Sequence, residues 1–418
     1  MTSAPRQTDR PAIPVVPGEW SVARSEALYG MNGWGAGFFR INGKGHVAVT
    51  PAGDGDLARS IDLAELAGGL AERGLTAPVL VRFTDVLAAR MARVKEVFEA
   101  AIAEEEYGGS FACVYPIKVN QQRHFVEALR DLAGPMGFGL EAGSKPELLA
   151  VLGMTENSPG MPIVCNGFKD DEYIETVILA HKLGRGIIPV IESLAELDLL
   201  LKYAGAYGVR PRLGVRIKPS MPGAGRWAES GGERSKFGLH APELLAMLDR
   251  LKAEGMADCL KLVHFHVGSQ VCDIRQIKSA VSELARLYCE LRRMGAGLDT
   301  IDIGGGLGVD YDGSNSAWPS SVNYSLAEYA SDVVYRIKTA CDDAGQPHPG
   351  IISESGRALS AHSSVLIFNI LGRARFRGDP DMPWVRRLID EEQRAGGEVP
   401  QPVRDLLQAW EAIDSAES

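Results

Sequence analysis

Ala112-Cys113-Val114-Tyr115-Pro116-Ile117-Lys118-Val119-Asn120-Gln121 is a short apolar run that stops at a lysine. A run of this kind, closed by polar residues, fits a strand covered on both faces, as the strands of a parallel sheet are. Working outward, the same design recurs at 137–141, 162–166, 187–191, 212–217, 262–267, 300–304 and 350–354. Longer amphipathic stretches, such as Asp171 to Leu183, Leu194 to Ala206 and Ile274 to Met294, stand between these runs. Alternation of this kind predicts an α/β fold in which parallel strands and crossover helices close into a (β/α)8 barrel. A doubly wound open sheet is the alternative. The polar punctuation decides between them, because Lys118, Glu141, Asn166, Glu192, Arg216, His266, Gly304 and Glu354 all stand at or just past a strand's C-terminal end. In a barrel those ends converge on one mouth, whereas an open sheet spreads them along an edge.

The flanks are of a different character. Ala27 to Thr50 reads as strand, glycine-rich turn and strand, with Tyr29, Trp34, Phe38 and Phe39 apolar and Asn42-Gly43 a turn signal, and it needs a sheet to join. Residues 51–90 then supply a connecting helix, a strand at Val79 to Phe83 and a further helix. After Leu371 come Arg373, Arg375, Arg377 and Asp379, followed by helical patterns at Trp384 to Arg394 and Val403 to Ile413. The organisation expected is a disordered leader over 1–26, a strand segment with connecting helices over 27–110, the barrel over 111–371 and a helical tail over 372–418.

With 418 residues, 45% hydrophobic and 23% charged, the chain can bury a large core. A formal charge of -10 offers no basic field to a nucleic acid, so a small metabolite is the partner expected. No apolar stretch has the length of a membrane span or of an export signal's core, which points to a cytoplasmic protein. The six cysteines are scattered without CxxC pairs, a pattern that disfavours a zinc site or a disulfide framework and fits buried thiols.

Four segments carry chemistry. Lys118, directly behind an apolar strand, stands where a low dielectric would lower its pKa and favour imine formation, although most strand-end lysines simply reach solvent. In His264-Phe265-His266-Val267-Gly268-Ser269 the two imidazoles alternate along a strand, so that one ring can pack flat on a heteroaromatic group while Ser269 donates to a phosphate. A metal pair is the rival reading, without a third ligand nearby, and a satisfied core histidine describes His264 better than His266. Asp302-Ile303-Gly304-Gly305-Gly306-Leu307-Gly308-Val309-Asp310-Tyr311 is a glycine-rich turn after a strand, whose bare N–H groups can close on an anion. Its spacing is not that of a dinucleotide fingerprint. Ser353-Glu354-Ser355-Gly356-Arg357 sets a carboxylate at a strand end and a guanidinium three residues on, a structural ion pair or a pyridine-nitrogen acid with a phosphate-binding arginine.

Lysine, acid, arginine, histidine, triple glycine and Glu-x-x-Arg in this order resemble the fold type III pyridoxal-phosphate decarboxylases, whose barrel is of the alanine-racemase-like type. The resemblance covers Tyr29 to Leu371. It implies that Lys118 is the imine-forming lysine, His266 the ring-stacking histidine, Ser269 and Gly304, Gly305 and Gly306 phosphate binders, Glu354 the pyridinium acid and Arg357 the phosphate arginine. Glu141, in Gly139-Leu140-Glu141-Ala142-Gly143-Ser144-Lys145, stands where ornithine decarboxylases usually carry aspartate, and Arg216 matches the family's barrel arginine. Gly30-Met31-Asn32-Gly33-Trp34-Gly35, Tyr115 to Gln122 and Ser235-Lys236-Phe237-Gly238-Leu239 are similar to the biosynthetic arginine decarboxylase branch. That branch implies pyridoxal phosphate and Mg2+ as cofactors, conversion of L-arginine to agmatine for polyamine synthesis, homo-oligomeric assembly, and substrate contacts along Ile301, Asp302, Ile303, Gly304, Gly305, Gly306, Leu307, Gly308, Val309, Asp310 and Tyr311. No residue places the magnesium. Decarboxylation of ornithine or diaminopimelate, or cofactor binding without catalysis, are the competing readings. In the family a C-terminal β-domain completes the sheet begun by the N-terminal strands and donates a cysteine and an acid across the dimer. On this reading the present chain lacks it, which would leave Trp34, Phe38 and Phe39 exposed, cofactor binding weak and turnover poor.

Overall fold

In a computed structural model the described residues are 20–218, 237–372, 382–395, 397 and 399–417. Eight parallel strands form a closed barrel in sequence order: β1 (Phe111–Pro116), β2 (Gly139–Ala142), β3 (Ile163–Cys165), β4 (Ile187–Ile191), β5 (Leu213–Arg216), β6 (Leu260–His264), β7 (Thr300–Asp302) and β8 (Gly350–Ser353). The ring closes where β8 meets β1, with Ser353 opposite Cys113. Every expected strand is present within a few residues of its predicted bounds, and the open sheet is excluded.

The interior has two tiers, set by the two-residue alternation of strands. Val114, Val164, Ile188, Val190, Leu262 and Ile352 form a separate apolar cluster inside the ring. Burying such side chains is worth roughly 1.5–3 kcal/mol each. Gly214 belongs to the same tier, since a Cβ there would stand 2.9 Å from Leu262 and 3.0 Å from Val190. Two residues further along come polar groups: Glu141, Asn166, Glu192, Arg216, His264, Asp302 and Glu354. The mouth of the barrel therefore opens onto a polar floor laid over an apolar plug. Outside the ring, helices such as Asp171–Lys182, Ile274–Arg293 and Leu326–Ala344 bury their apolar faces against the strands.

The segment before the barrel departs from expectation. Part of the expected leader is helical, Val22–Leu28 being a helix capped by Ser21, and Met31–Trp34 is a short second helix. Residues 1–19 of the expected leader lie outside the described residues. The hairpin is shorter than predicted, Phe39–Ile41 against Val47–Val49, and its turn is held by the Asn42 side chain, which accepts from the Lys44 and His46 N–H groups. A third strand, Ile61–Asp62, pairs with the second. Phe38 and Phe39 are buried, each 5% exposed, in a cluster with Met31, Ile41, Val49, Phe83 and Val86, and the half-buried Trp34 packs against it. The expectation that these aromatics lie exposed is thus corrected. Their partners come from the helix Thr84–Glu104 and from a two-stranded ribbon in which Val79–Arg82 pairs with Ser364–Ile367.

The chain divides into two units, Met1–Ile367 and Phe368–Ser418. In the second, Met382–Arg394 and Gln401–Glu417 are helices joined by an Arg386–Glu411 ion pair of 2.6 Å. The charged residues Arg373, Arg375, Arg377 and Asp379 lie outside the described residues. Among the described residues no helix is long and apolar enough to cross a membrane.

Candidate active site

A single helical turn, Ile117–Val119, follows β1 and turns Lys118 into the mouth. Its Nζ stands 3.2 Å from both carboxylate oxygens of Glu141 on β2, the neighbouring strand. The Lys118 side chain is 55% exposed whereas Glu141 is fully buried. Burial alone would depress the ammonium, but Glu141 and then Glu354 outweigh it and hold the Lys118 pKa above the ordinary lysine range. The sequence-based expectation of a lowered pKa is corrected. Two acids from the strands on either side of β1 act on one lysine, and the charge balance reverses the effect of the low dielectric.

Asn166, just past β3, joins two acids. Its Nδ2 donates to Glu141 Oε1 at 3.1 Å and to Glu354 Oε1 at 2.6 Å. Burial, and after it the negative charge of Glu354 for Glu141 and of Asp302 for Glu354, raise the pKa of both carboxyls. Glu192 accepts from Arg216 Nη1 at 3.2 Å and from the Gly167 N–H. Burial pushes its carboxyl up, and Arg216 and Lys169 more than reverse that. Arg216 also lies 5.2 Å from the centre of the Phe237 ring. The Ser235 and Lys236 of that motif are outside the described residues.

His264 is fully buried and neither ring nitrogen has a hydrogen-bond partner, so the reading of a satisfied core histidine is corrected as well. Its Nδ1 is 3.3 Å from Asp302 Oδ2 and 3.9 Å from Glu354 Oε1. Burial pushes the Asp302 carboxyl up to about 7 and the His264 imidazole down to about 4.

Above this floor lies a cavity of about 590 Å3 lined by Lys118, His266, Ser269, Gly305, Gly306, Leu307, Tyr311, Glu354 and Arg357, among others. The size suits a small organic ligand. His266 accepts the Gly305 N–H on Nδ1 at 3.1 Å, which fixes its ring plane, and burial together with Arg216 keeps the imidazole neutral by holding its pKa well below the usual range. Glycine is required beside it: a Cβ on Gly305 would stand 2.9 Å from His266 Cε1, and Gly304, at a φ of 64°, would drive one to 2.3 Å from the Phe265 carbonyl. Gly304 gives its own N–H to Asp302 Oδ1. Two of the three glycine N–H groups expected to cradle an anion are therefore bound to protein acceptors. Across the cavity Arg357, on the short helix Gly356–Ser360, donates to Tyr311 Oη at 3.1 Å and to Ser269 Oγ at 3.4 Å, while its Nε is buried without a partner.

The structure brings Lys118, His266, Ser269, Gly305, Gly306, Glu354 and Arg357 to one cavity and sets Glu141 and Arg216 in the floor tier with Glu354. It does not bring the whole of Ile301 to Tyr311 there. Ile301 and Ile303 are buried core, Asp302 is in the floor, and Asp310 folds its own loop by accepting from Gly313, Asn315 and Ser321. Only Gly305, Gly306, Leu307 and Tyr311 of that stretch line the cavity. Asn166 is a polar floor residue to which the sequence gave no role, and Asp302, expected among the substrate contacts, is instead paired on the floor with His264. The signal available for Asn166 and His264 was their position two residues past a plug residue, Val164 and Leu262.

Residues 91–361 match the family of pyridoxal-dependent decarboxylases, over its pyridoxal binding domain. The chain belongs to that family. Among similar proteins, a biosynthetic arginine decarboxylase of Rhodopirellula baltica is 52% identical over 358 residues, 86% of this chain and 53% of that protein. Another, of Thermosynechococcus vestitus, is 47% identical over 395 residues, 94% of this chain and 60% of that one. The crystal structure of the biosynthetic arginine decarboxylase of Campylobacter jejuni superposes with a TM-score of 0.72 at 33% identity, covering 87% of this chain and 60% of that one. A diaminopimelate decarboxylase from M. jannaschi gives 0.61 at 26% identity, covering 79% and 69%. The chain thus spans between half and two thirds of the length of the arginine decarboxylases it matches. Its cavity fits the family's cofactor: an amine at the mouth for an aldehyde, a neutral imidazole plane beside an aromatic ring, a buried acid for a ring nitrogen, and an arginine with an unpartnered Nε for a phosphate.

Proposed function

We propose that this chain is the cofactor-bearing barrel of an arginine decarboxylase, which releases carbon dioxide from L-arginine and yields agmatine for polyamine synthesis. The observation that carries the reading is the convergence of Lys118, His266, Glu354 and Arg357, from three strand ends, on one cavity of suitable size. The choice of arginine rests on the names of the relatives at 46–52% identity. Pyridoxal phosphate, when bound, supplies an aldehyde for the substrate amine and a ring that accepts the electron pair left by the departing carboxylate.

The chain's own residues divide the remaining work. Lys118 would be the amine that holds the cofactor's aldehyde before a substrate amine replaces it. Glu141 keeps Lys118 charged until that step and, with Asn166, orients Glu354. Glu354 would hold a proton at the ring nitrogen and His266 would support the ring's face, while Arg216 anchors Glu192 below. Arg357, Ser269 and Gly306 would take the phosphate, since the Gly304 and Gly305 N–H groups are bound to Asp302 and His266. Tyr311 reaches the same arginine, and so belongs to the phosphate side as much as to the substrate side.

Magnesium has no place in this reading. Among the described residues the group of donors within 4.8 Å of one another is His264, Asp302 and Glu354, all buried. Mg2+ keeps several waters and prefers an all-oxygen octahedron, which a buried trio containing an imidazole does not offer. A cytoplasmic location and homo-oligomeric assembly complete the proposal, the first in keeping with six unpaired cysteines. The test is product analysis with the purified chain and pyridoxal phosphate, offering arginine, ornithine, lysine and meso-diaminopimelate in competition. Agmatine as the main product supports the proposal. Putrescine, cadaverine or lysine in preference would overturn the choice of arginine, and cofactor bound without any product would favour a non-catalytic holder.

A further inference from the structure

The polar floor holds two groups for which the proposed function has no use. His264 and Asp302 face each other in register on β6 and β7, both fully buried, with Asp302 Oδ2 and both imidazole nitrogens lacking hydrogen-bond partners. They stand directly behind Glu354, the imidazole nitrogen 3.9 Å from its Oε1. Polar atoms left unpartnered in a dry interior cost about 1–3 kcal/mol each unless something occupies them. A proton occupies such a place without requiring room.

We infer that His264 and Asp302 are positioning residues that set how firmly Glu354 holds its proton, Asp302 strengthening the hold and His264 weakening it. The inference rests on Glu354 facing the cofactor's ring nitrogen. Asp302, when ionised, is a like charge beside Glu354 and favours a proton on their side of the floor. His264 is kept neutral by burial and has one N–H, which, directed at Glu354, stabilises the ionised carboxylate and so releases the proton. The other charged groups acting on Glu354 are Lys118 and Glu141, with Asn166 bonded to it directly, while Arg216 and Glu192 act on His264. None stands behind Glu354 on the strands β6 and β7. When a ring nitrogen enters above, the proton on Glu354 becomes shared between carboxylate and nitrogen, and no other bond forms or breaks.

The two neighbours act with opposite sign, and that separates the inference from a merely structural role. Cofactor affinity of the full chain, measured against pH, falls above the pH at which the shared proton is lost. Asp302→Asn should lower that midpoint by about one pH unit and His264→Phe should raise it by about one, a tenfold change in proton affinity each way. His264→Asn, which can place a donor near the position of Nδ1, should restore the wild-type midpoint. The infrared absorption of protonated buried carboxyl in the cofactor-free chain provides the second reading, with the same two directions expected. Should the wild-type chain bind no pyridoxal phosphate at any pH, the cofactor reading fails while the infrared titration still reports on Glu354. Midpoints that move together, or stay within a few tenths of a unit, would overturn the inference.

Discussion

Lys169 offers the cleanest test of how the floor is held up. It is 1% exposed, and its Nζ donates to the Gly167 carbonyl at 2.7 Å, to the Val190 carbonyl at 2.5 Å and to Glu196 Oε2 at 3.2 Å. Glu196, 2% exposed, accepts in turn from the backbone N–H of Glu192, the residue that anchors Arg216. Lys169→Met keeps the length and volume of the side chain and removes only the charge and its three bonds. Breaking one side of a buried ion pair costs about 3–5 kcal/mol, because the surviving charge is left uncompensated. Burial already raises the Glu196 carboxyl against the pull of Lys169, and without Lys169 it rises further. A raised acid binds more protons in the folded chain than in the unfolded one, so the variant loses stability as pH rises through the folded pKa and recovers some as pH falls. Urea unfolding of the cofactor-free chain at pH 5.5 and pH 8 measures both effects, with an unchanged slope showing that the same surface is exposed. The double variant Lys169→Met with Glu196→Leu should regain most of the loss. A loss below about 1 kcal/mol at pH 8, or one that grows on acidification, would refute the reasoning.

Other outcomes follow from the cavity. Borohydride reduction after incubation with pyridoxal phosphate should place the label on Lys118, and because its neighbours hold it protonated, trapping should quicken about tenfold per pH unit between pH 7 and 9; a flat profile, or label elsewhere by peptide mapping, would contradict this. Glu354→Gln should retain bound cofactor, read by absorbance, while turnover of arginine falls on the order of 100-fold. Gly305→Ala sets a methyl against the His266 ring and should weaken cofactor binding by about 1–3 kcal/mol, as measured by titration.

The barrel was legible because its strands are unmixed apolar runs, each ended by a polar residue, and that pattern survives in one dimension. The positions of Lys118, His266, Glu354 and Arg357 were legible for the same reason. What the sequence could not carry was the sum of charges around a point. Lys118 was read as a depressed amine from its own strand, yet Glu141 and Glu354, from other strands, reverse the sign. His264 was read as satisfied because a pattern shows where an imidazole is buried and not whether anything bonds to it. Between Ala27 and Gly35 the glycines suggested a turn between strands, but helices form there because Met31 and the half-buried Trp34 pack against Phe38 and Phe39 rather than pairing in a sheet.

The apolar plug beneath the polar floor has a kinetic consequence. With Val114, Val164, Ile188, Val190, Leu262 and Ile352 filling the ring below, water reaches His264 and Asp302 from the cavity side alone. A ligand seated over Glu354 closes that route, so protons on the floor are cut off from bulk exchange for as long as it stays. The His264 imidazole N–H should then exchange with deuterium at the rate of ligand departure rather than of solvent collision, which makes this one nitrogen a clock for residence time.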